Sequence, residues 1–120
     1  MKLVKVHSDD RRSIHVLQNL LKDKKEFSII KLKKNKAIGG CMHNDKEYYI
    51  ILEGKVMVRT NNSEIEGKMG DGGIFHKNTP HMFIGLEDSI ICEFGITEDE
   101  KINSPKHIQM LEEVKRLNEK

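Results

Sequence analysis

Cys41, His43, Glu47 and His81, all side chains of metal-binding type, fall within two short runs of this chain. The first is Gly39-Gly40-Cys41-Met42-His43-Asn44-Asp45-Lys46-Glu47; the second spans residues 70–83 and contains Pro80-His81. Thiolate, imidazole and carboxylate are the groups that ligate transition metals. Cys41, His43 and Glu47 share parity, so on an unbroken strand they point the same way, and across a bend they can still converge. One more donor from a distant strand completes a site with room for water or substrate, and His81 is the candidate. An inward Glu47 also calls for a cation, because a buried carboxylate without a partner is costly.

Plainer uses of the same residues stand beside that one. Cysteine is often just a small buried side chain, at Cys41 as elsewhere. His43, Glu47 and His81 also serve as polar contacts in a core, or as the remnant of a site without metal. Tyr49 shares parity with Glu47, and Phe83 follows His81 by two residues. Each either lines a ligand pocket or fills the interior. His76 sits on a loop, at the pocket mouth or facing solvent. Cys92 lies in an apolar strand and reads as core.

Positioning these groups requires strands. Lys2–Val6, Ser13–Leu17 and Glu26–Lys33 alternate or carry one apolar face, and Lys34-Asn35-Lys36 turns the chain. Gly39-Gly40 marks a bend or bulge. Glu47–Leu52 is apolar on both faces, as a central strand is, and Glu53-Gly54 turns into Lys55–Thr60. Asn61-Asn62 is a hairpin signal because Asn tolerates positive φ. Glu64–Lys68 returns, Gly70-Asp71-Gly72-Gly73 turns again, and Ile74-Phe75, His81–Leu86 and Ser89–Ile96 are the last strands. Ser104-Pro105 opens a C-terminal helix over about residues 105–118, with a stripe of Ile108, Leu111, Val114 and Leu117. Many short strands between turns predict an all-β sandwich or barrel, with its core over about residues 26–96.

The length of 120 residues argues for one domain, spanning 1–120. Charged residues make up 33% of the chain against 37% hydrophobic, but the apolar residues cluster in strand-like runs, which argues against disorder. No apolar run is long enough to cross a bilayer as a helix, and the start lacks a signal-peptide core. Two cysteines are too few for a secreted disulfide framework, so a cytoplasmic location is expected. Net charge is +2, yet residues 1–36 carry +7 and the remainder −5. The basic third is either a solvated lysine-rich surface or an attractor for an acidic ligand such as a sugar nucleotide. No pattern typical of nucleic-acid binding is present.

Together the two runs resemble the motifs of the cupin family. Cys41, His43, Glu47 and Gly54 match the spacing of its first motif, with Cys41 where the first histidine is usual. Gly70, His76, Asn78 and His81 match its second, with His76 in place of proline and Asn78 in place of glycine. The match covers residues 37–95. It implies a double-stranded β-helix, or jelly roll, with a ligand pocket in its mouth. It also implies a divalent transition metal on His43, Glu47 and His81, and a homodimer formed with help from an N-terminal strand. A Cys41 thiolate as fourth ligand favours zinc, iron, nickel or copper over magnesium. The run from Asp10 to Gly54 is further similar to small cupins of sugar-nucleotide and polysaccharide biosynthesis, among them keto-sugar isomerases and epimerases that use histidines as acid–base groups and need no metal.

Three functions remain open on the sequence. One is a metal-binding cupin acting on a small organic molecule, with the metal polarising an oxygen, activating water or binding dioxygen. Another is a metal-free isomerase or epimerase, with His43 or His81 as base and Tyr49 as acid. The third is a binding module without chemistry. No catalytic residue is assigned, and whether the chain is an enzyme stays open.

Overall fold

The computed structural model describes residues 2–18, 25–41, 46–97 and 105–119. Among the described residues ten strands precede one helix: β1 (Lys2–Ser8), β2 (Arg12–Gln18), β3 (Lys25–Leu32), β4 (Ala37–Cys41), β5 (Glu47–Glu53), β6 (Lys55–Thr60), β7 (Glu64–Lys68), β8 (Gly72–Phe75), β9 (His81–Gly85), β10 (Ser89–Thr97) and α1 (Pro105–Asn118). They form two antiparallel sheets, a six-stranded one in the order β1-β2-β3-β10-β5-β8 and a four-stranded one in the order β4-β9-β6-β7. The result is the expected jelly roll with a short C-terminal helix.

Alternation places the core. Ile30 and Leu32 of β3, Ile51 of β5, Val56 and Val58 of β6, and Ile91 of β10 meet between the sheets with Ile38, Phe75 and Phe83. Fully burying such a side chain stabilises the fold by roughly 1.5–3 kcal/mol.

Three local expectations are corrected. Gly72 and Gly73 belong to β8, and only Met69-Gly70 turns. The hairpin between β6 and β7 forms at Asn61-Asn62, but without positive φ there. The Thr60 hydroxyl closes it instead, accepting from the backbone N–H groups of Asn62 and Ser63 at 3.3 and 3.1 Å. On α1, Met110, Val114 and Leu117 pack toward β4 and β9, while Ile108 and Leu111 are exposed. A strict three-residue spacing drifts around a helix of about 3.6 residues per turn, whereas positions i, i+4 and i+7 stay on one face.

The bulge expected at the glycine run is present, within a strand that was not expected there. In β4 the pairing to β9 shifts between Gly39 and Cys41, which leaves Cys41 opposite His81. Gly39 takes φ +117°, and a Cβ there would stand 2.7 Å from the His81 carbonyl oxygen. Only glycine permits both that conformation and that approach.

The helix then clamps β4. Ala37 is fully buried, and the Asn118 side chain binds both of its backbone groups. Asn118 Oδ1 accepts from the Ala37 N–H at 2.7 Å, and Nδ2 donates to the Ala37 carbonyl at 2.8 Å. A side-chain amide thus satisfies the open edge of the sheet. Arg59 of β6 adds a 3.1 Å ion pair to Glu113.

The turn between β1 and β2 is held by Asp9, which accepts from the backbone N–H groups of Arg11 and Arg12 at 2.8 and 3.1 Å and from His7 Nε2 at 2.7 Å. Burial alone raises this carboxyl, but those bonds outweigh it and hold the group well below its ordinary 3.8.

Two stability measurements follow. Asn118→Ala strips buried backbone groups of their partner and lowers stability by about 1–3 kcal/mol, read from the urea midpoint at an unchanged slope. Asp9→Asn costs on the order of 1 kcal/mol at pH 7. A depressed carboxyl stabilises above its ordinary pKa and loses that contribution on acidification, so the gap between the two proteins narrows as pH falls below 3.8. A gap of constant size down to acid pH contradicts the role of the Asp9 charge.

Candidate functional site

The site is built where β5, β8, β9 and β10 turn side chains inward. On β9, His81 and Phe83 share a face. On β5, Glu47, Tyr49 and Ile51 do so. The register pairs Glu47 with Phe75 of β8, and Tyr49 with Glu93 of β10. These pairings bring together residues far apart in the chain.

Glu47 and His81 meet directly. His81 Nε2 lies 2.9 Å from Glu47 Oε2, with the residues 3% and 1% exposed. The other ring nitrogen, Nδ1, lies 3.1 Å from the Thr79 carbonyl oxygen. A carbonyl can only accept, so Nδ1 carries the hydrogen and Nε2 is the nitrogen presented to Glu47. Phe75 stacks on the imidazole at 3.9 Å and 8° and fixes its plane. Burial pushes the His81 pKa below its ordinary 6.5, opposed by the charge of Glu93 and the Thr79 carbonyl.

The loop before His81 explains one departure from the expected motif. Asn78, standing where glycine is usual, adopts φ +61°. Asn is among the residues that tolerate the left-handed region, so the backbone turn survives the substitution. His76, standing where proline is usual, is exposed directly after β8.

Tyr49 and Phe83 pack into the interior around Phe75. Tyr49 stacks on Phe75 at 4.9 Å and meets Phe83 edge-on at 5.3 Å. Gly73 opposite it makes room, since a Cβ there would stand 2.9 Å from the Tyr49 hydroxyl. Burial, with the nearby Asp71 charge, raises the Tyr49 pKa above its ordinary 10.0. Cys92 is a buried free thiol, its pKa pushed up to about 11 by burial and by Glu93.

Of the four proposed ligands, Glu47 and His81 are brought together. The backbone of Cys41 is placed opposite His81, and His43 lies outside the described residues. Among the described residues no three His, Cys, Asp or Glu side chains are grouped to hold a metal ion. The pair that is present does fit one. One is an imidazole and the other a carboxylate, both groups that ligate transition metals, and their donor atoms lie 2.9 Å apart.

Glu93 was missed from the sequence. As a whole residue its exposure is intermediate, but its carboxyl is buried close enough to Glu47 to feel its charge. Burial first, then the Glu47 charge, raises its pKa well above the ordinary 4.5, while His81 and Arg12 pull the other way. Its signal was a lone carboxylate at the parity of Ile91 in an otherwise apolar strand. Nothing in the sequence showed that it lies across from Tyr49.

Apart from Arg12, whose charge also reaches Glu93, the first-third cations near a cavity gather elsewhere. Lys5, Arg12, Lys31 and Lys33 line one groove, but Asp9, Glu53 and Asp88 line it too, so its excess of positive charge is small. None of the described helices is long and apolar enough to cross a membrane.

No family profile matches the chain, and no curated protein matches it. Solved structures do. A cupin superfamily protein from Desulfitobacterium hafniense superposes with a TM-score of 0.67 at 12% identity, over 77% of this chain and 83% of that one. An RmlC-like cupin from Desulfovibrio desulfuricans gives 0.64 at 16% identity, over 72% and 83%. The iron(II) form of HppE gives 0.63 at 13% identity, over 79% of this chain and 56% of that one.

Proposed function

We propose that this chain, a cupin by fold, holds a divalent transition metal and binds a small organic molecule beside it. The ligands proposed are His43, Glu47 and His81, with Cys41 as a fourth. The observation that carries this is the pairing of His81 Nε2 with Glu47 Oε2 at 2.9 Å. The Thr79 carbonyl takes the Nδ1 hydrogen and burial favours the neutral ring, so the nitrogen nearest the carboxylate carries no hydrogen of its own. Two acceptors at that distance need a proton or a cation between them. The backbone carbonyl that fixes the tautomer is also the usual outer partner of a metal-bound histidine.

A bound metal would supply Lewis acidity to an oxygen of the ligand. The chain's own residues do the rest. Glu47 and His81 are held rigidly by strand pairing and by the Phe75 stack, and Tyr49, Phe75 and Phe83 give the interior an apolar wall. No particular reaction is proposed.

The second reading is a metal-free site acting on a sugar or sugar nucleotide. It draws on the same pair, because a buried neutral imidazole beside a carboxylate is also a general base. We favour the metal because a sugar nucleotide needs a strongly positive approach, and the groove lined by the first-third cations carries nearly as many carboxylates.

Elemental mass spectrometry on protein purified without a histidine tag decides between them. Wild-type protein carries a near-stoichiometric transition metal and His81→Ala loses it. Full metal content in the variant, or a wild type that refuses zinc, nickel and iron, overturns the metal reading.

We also propose a cytoplasmic homodimer. The free thiol of Cys92 suits a reducing compartment. The outer face of the six-stranded sheet leaves Ile50, Leu52, Ile74 and Phe94 exposed, and Phe94 stacks with Phe27 and Tyr48. A patch of this kind marks an interaction surface. Sedimentation equilibrium is expected at twice the monomer mass of 13.9 kDa, and Leu52→Glu shifts it to the monomer; a wild-type monomer refutes the assignment.

A further inference from the structure

We infer that the outer face of the six-stranded sheet carries a second binding site, which takes a small phosphate ester that also bears an amine. The site is a groove of about 490 Å³ lined by residues of β1, β2, β3, β5 and β10. Its volume suits a small molecule. It does not depend on the proposed metal. β5 runs from Glu47 at the one site to Glu53 at the other, roughly 20 Å along the strand.

Strand register assembles the groove. Ser8, Ser13, Lys31, Ile90 and Glu53 stand side by side in one row across β1, β2, β3, β10 and β5. Ile30 and Leu32 belong to the core, so Lys31 and its row face outward. Two bulges bring in side chains that regular strands would turn away. Lys5 and Ser8 are three residues apart and would lie on opposite faces, but the β1–β2 pairing shifts between Lys5 and His7. Lys5 then stands opposite His15 and Ser8 opposite Ser13, both on the outer face. Glu53 shares parity with the buried Ile51, and the shift in the β5–β10 pairing between Ile90 and Ile91 turns it outward. Bulges re-aim side chains in this way beside functional sites.

The charges that line the groove differ in what they already hold. The Asp9 carboxylate accepts from the Arg11 and Arg12 N–H groups, and the Asp88 carboxylate accepts from the Lys34 N–H at 2.8 Å. Both hold turns. Lys5, Lys31, Lys33 and Glu53 make no ion pair among the described residues. Three ammonium groups and the Ser8 and Ser13 hydroxyls are donors that suit a phosphate. Glu53, across Ile90 from Lys31, is an acceptor that suits an amine. A ligand of one sign is opposed by part of the groove, and a ligand of both signs is not. The lining holds Lys5, Arg12, Lys31 and Lys33 against Asp9, Glu53 and Asp88, a single positive charge in excess. A phosphate of about −1.5 to −2 joined to one ammonium group has a net charge of about −1 and complements it.

The test uses 3-aminopropyl phosphate beside propyl phosphate, which lacks the amine, and 3-aminopropanol, which lacks the phosphate. Binding is followed through the backbone amide resonances of the full chain. The zwitterion is expected to shift Ser13, Lys31, Ile90 and Glu53, and to bind on the order of fivefold more tightly than either control. Equal binding of the zwitterion and propyl phosphate overturns the inference, because the groove is then a lysine surface that attracts any anion. Shifts centred on Glu47 and His81 overturn it too, as does the absence of any shift at millimolar zwitterion.

Two variants assign the ends of the ligand. Glu53→Gln is expected to weaken the zwitterion on the order of fivefold and to leave propyl phosphate as tight as before or tighter. Lys31→Ala weakens both phosphates and leaves 3-aminopropanol unchanged. Both residues are exposed, so both variants keep the wild-type melting temperature. A Glu53→Gln protein that binds the zwitterion as tightly as wild type overturns the inference. Neither substitution touches the proposed metal ligands, so metal content and zwitterion binding fail or hold separately.

Discussion

A carboxylate and an imidazole held 2.9 Å apart at 1% and 3% exposure constrain everything packed around them. Each group loses its water on burial, and that loss must be answered by a partner with good geometry. His81 answers it with a carbonyl on one nitrogen, a carboxylate on the other and an aromatic ring against its face. Glu47 lies against His81, with the Glu93 carboxyl close enough to feel its charge. The partners come from β5, β8, β9, β10 and the loop before β9. A shift of one residue in any of these pairings would send the polar groups to the outer face and bring outer side chains inside. The site and the strand register are thus the same constraint seen twice.

The edge of the four-stranded sheet shows how that register is protected. β4 is short, rich in glycine and interrupted by a bulge, so its own propensity for strand is weak. It is held by three contacts of different kinds. Ile38 enters the core between the sheets, and Ala37 is covered by Met110 and Val114 of α1. The amide of Asn118 takes up both backbone groups of Ala37. The terminal helix therefore does more than cover apolar surface. It fixes the strand that leads into residues 41–47, which carry three of the four proposed ligands.

The departures from the expected motifs are of two physical kinds. Asn78 preserves what its position requires, because the demand there is a backbone with positive φ, and asparagine meets it at modest cost. His76 stands at an exposed position where a proline is usual, and no packing demand falls on it. Cys41 is different in kind, since the change is one of chemistry and alters which metals the site favours.

Period-two alternation and turn residues were enough to place nine of the ten strands, because each is a local property of the chain. They also showed that Glu47 and Tyr49 share a face, and motif spacing paired Glu47 with His81 across 34 positions. β4 escaped notice as a strand because its glycines carry no pattern, and its pairing is decided by β9 and α1. The buried face of α1 was misjudged for a related reason: several apolar stripes were available, and the sheet beneath chose Met110, Val114 and Leu117. Glu93 is the clearest case. The sequence gives its type and its parity, but its neighbour across the ladder is set by strand order and register. Those are properties of the whole sheet, so only the tertiary structure placed this carboxyl beside Glu47.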